Sequence, residues 1–296
     1  MNPSLVPVAT LALIALPAAG RASTIIDSAD DPAITAQAYE NEALLYPMVG
    51  TVKGSGLSGS GVLISPEWVL TAGHVSLSKS GGTFTAGGSS YQIDNAVTHP
   101  GFSFSGLAND LGLLHLATPV AGTGIASMVR LSPADSILGQ QATWVGHGLT
   151  GTGLTGATTP LAFRAFTNVI DVMGPEYGQS ATSFVADFDR PDGSTNASSS
   201  DPAATRLEGN LTSGDSGGGV FIHLDGTPYL VGINSYSGGF SPGTNSKYGS
   251  ISGATDLSQF HSWIFDETGI SAVPEPSVIL LTQLATLILL RRSRRF

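Results

Sequence analysis

The sequence contains no cysteine among its 296 residues, and only 11% of them are charged. Without cysteine, the chain can form neither disulfide bridges nor a metal site with thiolate ligands. Lysine and arginine are few, 12 in all against 22 aspartates and glutamates, and no basic stripe is present that could neutralise phosphates. The net charge of −10 therefore argues against a nucleic-acid partner.

Glycine is abundant, with 38 residues, and this composition favours short strands and many turns over long surface helices. From Tyr46 onward, short apolar segments alternate with Gly, Ser and Pro turns, a pattern typical of all-β barrels and sandwiches. A late helix is predicted at Leu257–Phe265, where Asp256 can cap the first turn and apolar residues recur at helical spacing. The strand candidates are Tyr46–Val52, Ser60–Ile64, Trp68–Thr71, Tyr91–Ile93, Leu111–Leu116, Ala142–Val145, Leu161–Val169, Gly219–His223 and Tyr229–Asn234.

Residues 1–22 have the composition of a secretory signal peptide. Leu5–Ala19 is mostly apolar, and Gly20-Arg21-Ala22 is the predicted cleavage site, although no Lys or Arg precedes the apolar stretch. A buried N-terminal helix is the alternative, and Pro17 together with the small residues argues against it. The polar, alanine-rich span 23–44 is interpreted as a propeptide or a surface arm.

Residues 273–296 combine a Pro-Glu-Pro motif at 274–276, an apolar run at 278–290 and an arginine cluster at 291–295. This order of parts resembles the PEP-CTERM sorting signal of Gram-negative bacteria. As a helix the apolar run would span roughly 20 Å, against the roughly 30 Å core of a bilayer. A transient anchor is therefore expected rather than a permanent transmembrane helix. The resemblance implies recognition by an exosortase, removal of the tail, and delivery to the cell surface or extracellular matrix.

Three short motifs supply a hydroxyl, an imidazole and a carboxylate. The first is Gly214-Asp215-Ser216-Gly217-Gly218, in which glycines present a serine and let a substrate approach closely. The others are Leu70-Thr71-Ala72-Gly73-His74 and Asn109-Asp110-Leu111. Together they provide the three groups of nucleophilic acyl-transfer catalysis.

With the run Gly59–Ile64 and the late Ser262-Trp263-Ile264, these motifs resemble the trypsin-like (chymotrypsin-fold, S1-type) serine proteases from about Tyr46 to Ile264. His, Asp and Ser also follow one another in that family's order. The resemblance implies two six-stranded antiparallel β-barrels with a C-terminal helix. The protease domain would span residues 45–267, with barrels at about 45–135 and 136–267. The active site would lie in the cleft between them and need neither a metal nor an organic cofactor.

The resemblance also implies the roles of individual residues. Ser216 would be the nucleophile, His74 would take its proton and pass it to the leaving amine, and Asp110 would orient His74. The backbone N–H groups of Gly214 and Ser216 would form the oxyanion hole. Asp94 competes with Asp110 as the acid, but Asp110 heads an apolar strand whereas Asp94 lies in a polar turn, which favours Asp110.

The sequence departs from the family pattern in places. Gly73 stands where alanine is usual, and Gly219 stands where proline is usual, which should loosen the turn after the nucleophile. In the family, a buried N-terminal ammonium pairs with the acid equivalent to Asp215. No basic residue followed by Ile-Val-Gly-Gly is present. We therefore expect cleavage before Ile34 to create the activating terminus, or an internal group to satisfy Asp215.

Specificity residues are assigned by their offset from the motifs. Asn210 is expected near the base of the primary pocket, with Ser235-Tyr236-Ser237 along one wall. A neutral Asn210 predicts no strong preference for Arg or Lys, and a neutral or apolar residue is expected before the scissile bond. The sequence thus favours a secreted serine endopeptidase acting on polypeptides. A catalytically silent binding or matrix protein on the same fold, or an esterase, are the alternatives.

Overall fold

The computed structural model describes residues 23–131, 136–197, 203–239 and 246–274. The predicted signal peptide and all of the predicted sorting signal beyond Pro274 lie outside the described residues. Within these ranges, no helix combines the length and the apolar character needed to cross a membrane.

Strands make up most of the regular structure, and the helices are short. The α-helices are α1 (Ala36–Ala43), α2 (Gly73–Ser76) and α3 (His261–Thr268), and 3₁₀ turns lie at Ser105–Leu107, Gly174–Tyr177 and Leu257–Gln259. The strands are β1 (Ser23–Ile25), β2 (Val49–Lys53), β3 (Gly59–Leu63), β4 (Trp68–Thr71), β5 (Thr83–Ala86), β6 (Ser89–Thr98), β7 (Gly112–Leu116), β8 (Val129–Arg130), β9 (Gln141–Gly146), β10 (Leu149–Thr152), β11 (Gly156–Leu161), β12 (Arg164–Val169), β13 (Val172–Met173), β14 (Ser183–Asp187), β15 (Gly209–Asn210), β16 (Gly219–Leu224), β17 (Thr227–Gly239), β18 (Ser250–Asp256) and β19 (Val273–Pro274).

The first half of the fold is a closed six-stranded barrel with the strand order β2-β3-β4-β7-β6-β5. All of its neighbouring strands are antiparallel. Inward-facing aliphatic side chains such as Val52, Val62 and Leu70 fill it and have no exposed surface, as expected for a barrel of this size. The prediction of an all-β fold with a closed six-stranded first barrel is confirmed.

The second half is a seven-stranded antiparallel sheet with the order β12-β9-β16-β17-β18-β14-β13. In the described residues it curls into a half-barrel of seven strands, which is consistent with the chymotrypsin-like fold that the sequence predicts. Its long strand β17 changes register between Asn234 and Tyr236, and such a bulge lets a strand bend. Trp144 packs inside it, with its ring stacked 5.9 Å from Phe166 and edge-on to Phe184.

The N-terminal segment is built into the fold. Strand β1 lies between β10, to which it runs parallel, and β15, to which it runs antiparallel. Tyr39 of α1 is fully buried, and its hydroxyl accepts from Ile26 N and donates to Glu208 O. The span 23–44, interpreted from sequence as a propeptide or a surface arm, thus contributes a strand and a packed helix.

The C-terminal helix begins as the sequence indicates. Asp256 accepts a hydrogen bond from Ser258 N at 2.9 Å, which confirms the predicted cap. The segment then divides into a 3₁₀ turn and α3, because Phe260 has a non-helical backbone conformation. Leu257 and Ile264 pack into the same hydrophobic cluster as the first barrel, so this helix holds the two halves together.

Candidate active site

Three loops bring the sequence-predicted residues to the junction of the two sheets. His74 lies in α2, directly after β4, and Asp110 precedes β7, the strand beside β4. Asn109 adopts a left-handed φ of 50° and donates to Gly101 O, which fixes the turn into Asp110. Ser216 lies in the turn between β15 and β16 of the second half.

His74 and Asp110 form a close pair. Nδ1 of His74 lies 2.8 Å from Oδ2 of Asp110, and the backbone N–H of His74 donates to Oδ1 at 2.9 Å. Asp110 is fully buried, while the His74 side chain is 12% exposed. Because Nδ1 is occupied by the carboxylate, Nε2 is the ring nitrogen left for proton transfer.

Two further hydroxyls hold Asp110, and sequence reasoning missed both contacts. Ser235 donates to Oδ2 of Asp110 at 2.5 Å, and Thr255 donates to its backbone carbonyl at 2.9 Å. The sequence predicts Ser235 along the wall of the substrate pocket, and the structure shows in addition that its hydroxyl bonds to Asp110. No local signal could have revealed this, since Ser235 lies 125 positions from Asp110 along the chain.

Ser216 is half-buried beside this network. Its hydroxyl donates to the carbonyl of Ser235 at 3.5 Å, a weak contact that leaves the hydroxyl easy to reorient. In the part of the chain that the structure describes, Ser216 makes no hydrogen bond to His74. Catalytic hydrogen bonds are often long before substrate binds and shorten afterwards. Ser235 therefore contacts both the candidate nucleophile and the candidate acid.

The turn around Ser216 requires glycine. Gly214 and Gly217 have φ values of 101° and 87°, which L side chains rarely adopt. A Cβ on Gly217 would also approach the carbonyl oxygen of Ser60 to 2.1 Å. Ser60 in turn donates its hydroxyl to Gly214 O and its N–H to Ser216 O. The backbone N–H groups of Gly214 and Ser216 have no protein acceptor within the described residues.

Asp215, between these two N–H groups, is completely buried. Its Oδ2 accepts from the hydroxyl of Ser23 at 3.1 Å and from the N–H and hydroxyl of Thr212 at 2.8 and 3.0 Å. Its Oδ1 has no hydrogen-bond partner among the described residues. Removal from water disfavours the charged carboxylate and raises the pKa of Asp215 to about 6.

The activating residue expected from the sequence is not the one that reaches Asp215. Ser23 makes that contact, whereas Ile34 lines a cavity of about 450 Å³ beside β10. The reason is the docking of β1, whose residue Thr24 pairs with Asn210 and so carries Ser23 into the interior.

Asn210 is fully buried and both ends of its amide are bound within the protein. Nδ2 donates to Leu211 O at 3.0 Å, and Oδ1 accepts from Ser252 at 2.7 Å. Ser252 is the strand partner of Ser237 in β17, so Asn210 lies near that strand. Ser237 is exposed, and Tyr236 is half-buried with its hydroxyl 3.2 Å from Ser183 Oγ. The side-chain amide of Asn210 thus contacts only uncharged groups among its hydrogen-bond partners in the described residues.

The two departures from the family pattern have packing reasons. A Cβ on Gly73 would lie 3.0 Å from both Leu111 N and the Phe102 ring. Gly219 does not lie in a loose turn. It is buried in the central strand β16 and pairs with β9 and β17. A side chain there would collide with Phe221 at 2.6 Å, and proline would remove a ladder N–H.

Asp94 is separate from this site. It lies 2.7 Å from Nδ1 of His115, and both side chains are partly exposed. The ring of His115 packs edge-on against Trp68. The structure thus gives the two competing aspartates different histidine partners, and Asp110 is the one beside His74.

Comparison with known families agrees with this arrangement. The model of the trypsin family matches residues 36–264, a span that contains His74, Asp110 and Ser216. None of the curated proteins compared with the chain matches it. The matched span covers most of the chain and both halves of the fold. The chain therefore belongs to the trypsin family.

Proposed function

We propose that this protein is a serine endopeptidase that hydrolyses polypeptides through an acyl-enzyme intermediate. The observation that carries the proposal is the buried His74–Asp110 pair, with Nδ1 and Oδ2 2.8 Å apart, beside Ser216. A buried carboxylate that fixes one imidazole nitrogen and leaves the other for proton transfer suits general-base activation of a hydroxyl.

In the first step, Ser216 Oγ attacks the scissile carbonyl carbon while His74 takes the hydroxyl proton. The tetrahedral intermediate collapses as the C–N bond breaks, and His74 delivers the proton to the leaving amine. Water then attacks the acyl-enzyme, His74 takes one of its protons, and the proton returns to Ser216 as the carboxylic acid leaves. Asp110 keeps His74 in one tautomer and stabilises the imidazolium.

The backbone N–H groups of Gly214 and Ser216 would bind the oxyanion of each tetrahedral intermediate. Both lie in the turn that Gly214, Gly217 and the hydroxyl of Ser60 hold in place. A single donor of this kind contributes about 10²–10³ in turnover. The absence of a competing protein acceptor within the described residues leaves both groups available to substrate.

A fluorophosphonate probe tests the proposal. We expect the probe to label the secreted protein, and Ser216→Ala to abolish labelling while Ser258→Ala, at an exposed serine outside the site, labels normally. Failure of the correctly processed protein to label would overturn the proposal in favour of a catalytically silent binding or matrix protein. Activity on simple esters but not on a peptide library would instead indicate an esterase.

We further propose a preference for a neutral or apolar residue before the scissile bond. The support is the neutral side chain of Asn210, whose amide is bound to Leu211 and Ser252. Cleavage-site profiling with a peptide library measures the preference. Enrichment of Arg or Lys before the cut would contradict it.

We also propose that the protein is secreted and that its C-terminal tail is removed by an exosortase-type enzyme, so that the membrane is contacted only before processing. The tripartite sequence of residues 273–296 supports this. Intact-mass measurement of protein expressed with and without an exosortase tests it. An unchanged C-terminus in both hosts would oppose the proposal.

Removal of residues 1–22 would leave Ser23 as the first residue, so we propose Ser23, in place of Ile34, as the activating terminus. Its hydroxyl already contacts Asp215, and a new α-ammonium on the same residue would lie beside the incompletely bonded carboxylate. N-terminal sequencing of the active enzyme is the test. A start at Ile34 or further along the chain would refute the assignment.

A further inference from the structure

Arg164 is a charged side chain in the interior of the protein. It begins β12, is only 2% exposed, and donates from Nη1 to the backbone carbonyl of Ser23 at 2.8 Å. Burying a guanidinium costs several kcal/mol unless its charge and its donors are compensated. The guanidinium is therefore held by specific contacts, and one of them is with Ser23.

Ser23 links this arginine to the turn of the candidate nucleophile. Its carbonyl accepts from Arg164, and its hydroxyl donates to Oδ2 of Asp215 at 3.1 Å. Ser23 is 1% exposed and has a left-handed φ of 56°, a conformation that an L side chain adopts only when its surroundings impose it. Pairing with Thr150 and the bond from Arg164 provide that constraint.

The positive charge of Arg164 lowers the pKa of Asp215, together with the hydrogen bonds from Thr212 and Ser23, against the larger effect of burial. His147, between the two glycines that pack on the carboxylate, is neutral because burial lowers its pKa to about 4. Tyr39, near Arg164, is neutral because burial raises its pKa. The donors to the carboxylate of Asp215 are the hydroxyl of Ser23 and the N–H and hydroxyl of Thr212, which carry no charge.

We propose that Arg164 is a positioning residue for catalysis, which holds Ser23 against Asp215 and thereby keeps the Gly214–Ser216 turn in the conformation that presents its two N–H groups. The inference rests on the proposed function. Asp215 lies between the two donors in the chain, so any movement of its backbone moves both. By fixing the carbonyl of Ser23, Arg164 also fixes the α-amino group that processing would create there.

The test compares Arg164→Met with Arg164→Lys, Ser23→Ala and the exposed control Arg206→Met. Active sites are first titrated with the fluorophosphonate, and kcat and KM are then measured across pH on one peptide substrate. We expect Arg164→Met to lower kcat about ten- to hundredfold and to change KM by less than about twofold. This decrease in kcat is no larger than the decrease caused by removing one oxyanion donor. The acid limb of kcat should move to higher pH, because the positive charge of Arg164 no longer lowers the pKa of Asp215.

Arg164→Lys should recover part of kcat and of the acid limb, and Ser23→Ala should lower kcat by less than Arg164→Met does. Arg206→Met should match the wild type. A folded Arg164→Met with wild-type kcat and acid limb would overturn the inference. If that variant does not fold, unchanged kcat and pH profiles in both Arg164→Lys and Ser23→Ala overturn it equally. A wild type that does not label overturns the proposed function itself, which the titration detects before any variant is compared.

Discussion

Two buried aspartates flank the candidate nucleophile, and they are satisfied in different ways. Asp110 and Asp215 both have no exposed surface. Both oxygens of Asp110 are hydrogen-bonded, by the N–H and ring of His74 and by the hydroxyl of Ser235. Asp215 receives all its bonds on Oδ2, while Oδ1 has no partner among the described residues. Both oxygens of the first carboxylate have donors within the described chain, whereas one oxygen of the second has none.

The difference follows from where the partners come from. The hydrogen-bond partners of Asp110 come from α2, β17 and β18, which belong to the two halves of the fold. One partner of Asp215, Ser23, stands at the predicted cleavage site, and its carbonyl is held by Arg164. The partners of Asp110, the candidate orienting acid, are therefore in place once the two sheets have folded. Those of Asp215, beside the proposed oxyanion donors, also require the N-terminal strand.

The largest expected effect is at Asp110. Asp110→Asn should lower kcat about 10⁴-fold, because the amide favours the wrong tautomer of His74. Steady-state kinetics on a peptide substrate measure the loss. Asp94→Asn, which alters the partly exposed pair with His115, is the matched control and should change kcat by less than about twofold. Equal losses in both variants would mean that the two aspartates are not distinguished by function.

Asp215→Asn should have a smaller effect, lowering kcat about 10²–10³-fold. The magnitude is that of losing an oxyanion donor, because the variant weakens the turn that presents Gly214 and Ser216 while leaving the His74–Asp110 pair intact. Affinity for a peptide aldehyde, which mimics the tetrahedral intermediate, should fall in parallel with kcat. Retained aldehyde affinity would show that Asp215 does not order the donors.

The pH dependence of stability tests whether Asp215 awaits a cation. In an inactive Ser216→Ala chain extended by Gly20–Ala22, the pKa of Asp215 in the folded state is about 6, above the ordinary value of 3.8. The protonated form is then favoured by folding, so this stabilisation is present below pH 4 and is lost as the pH rises through 6. This difference between the folded and the ordinary pKa of Asp215 corresponds to about 3 kcal/mol in the free energy of unfolding. Urea unfolding at several pH values measures it.

The same chain beginning at Ser23 is the comparison. Its α-ammonium would lower the pKa of Asp215, so the decline between pH 4 and 6 should shrink or reverse. In the extended chain, Asp215→Asn should abolish the decline. Identical pH profiles for the extended and the processed chain would contradict the assignment of Ser23 as the activating terminus.

The smallest expected effect is at Ser235. Ser235→Ala removes the 2.5 Å bond to Oδ2 of Asp110, and a hydrogen bond to a charged group contributes about 1.5–3 kcal/mol. Because His74 still holds both carboxylate oxygens, we expect a loss of about tenfold in kcat with little change in KM. A rise in KM with unchanged kcat would return Ser235 to the pocket wall assigned to it from sequence.

Much of the site could be predicted from the sequence because its chemistry is carried by local motifs. The Gly-Asp-Ser-Gly-Gly turn, the His74 motif and Asp110 each contain the residue types and glycines that their backbone geometry requires. The strands of the first barrel and the Asp256 cap follow from local periodicity in the same way. The seven-stranded order of the second sheet did not, since it depends on pairings between segments that are distant along the chain.

The sequence by itself determined the composition of the candidate triad and the all-β class. Only the tertiary structure decided which residues complete the two buried carboxylates. Ser235 reaches Asp110 across 125 positions and Ser23 reaches Asp215 across 192, and an isolated serine has no local signature of such a contact. Arg164 likewise reaches the carbonyl of Ser23 only after β1 has folded against the second half. Burial of a charge selects its partners by proximity in space, which a linear pattern does not record.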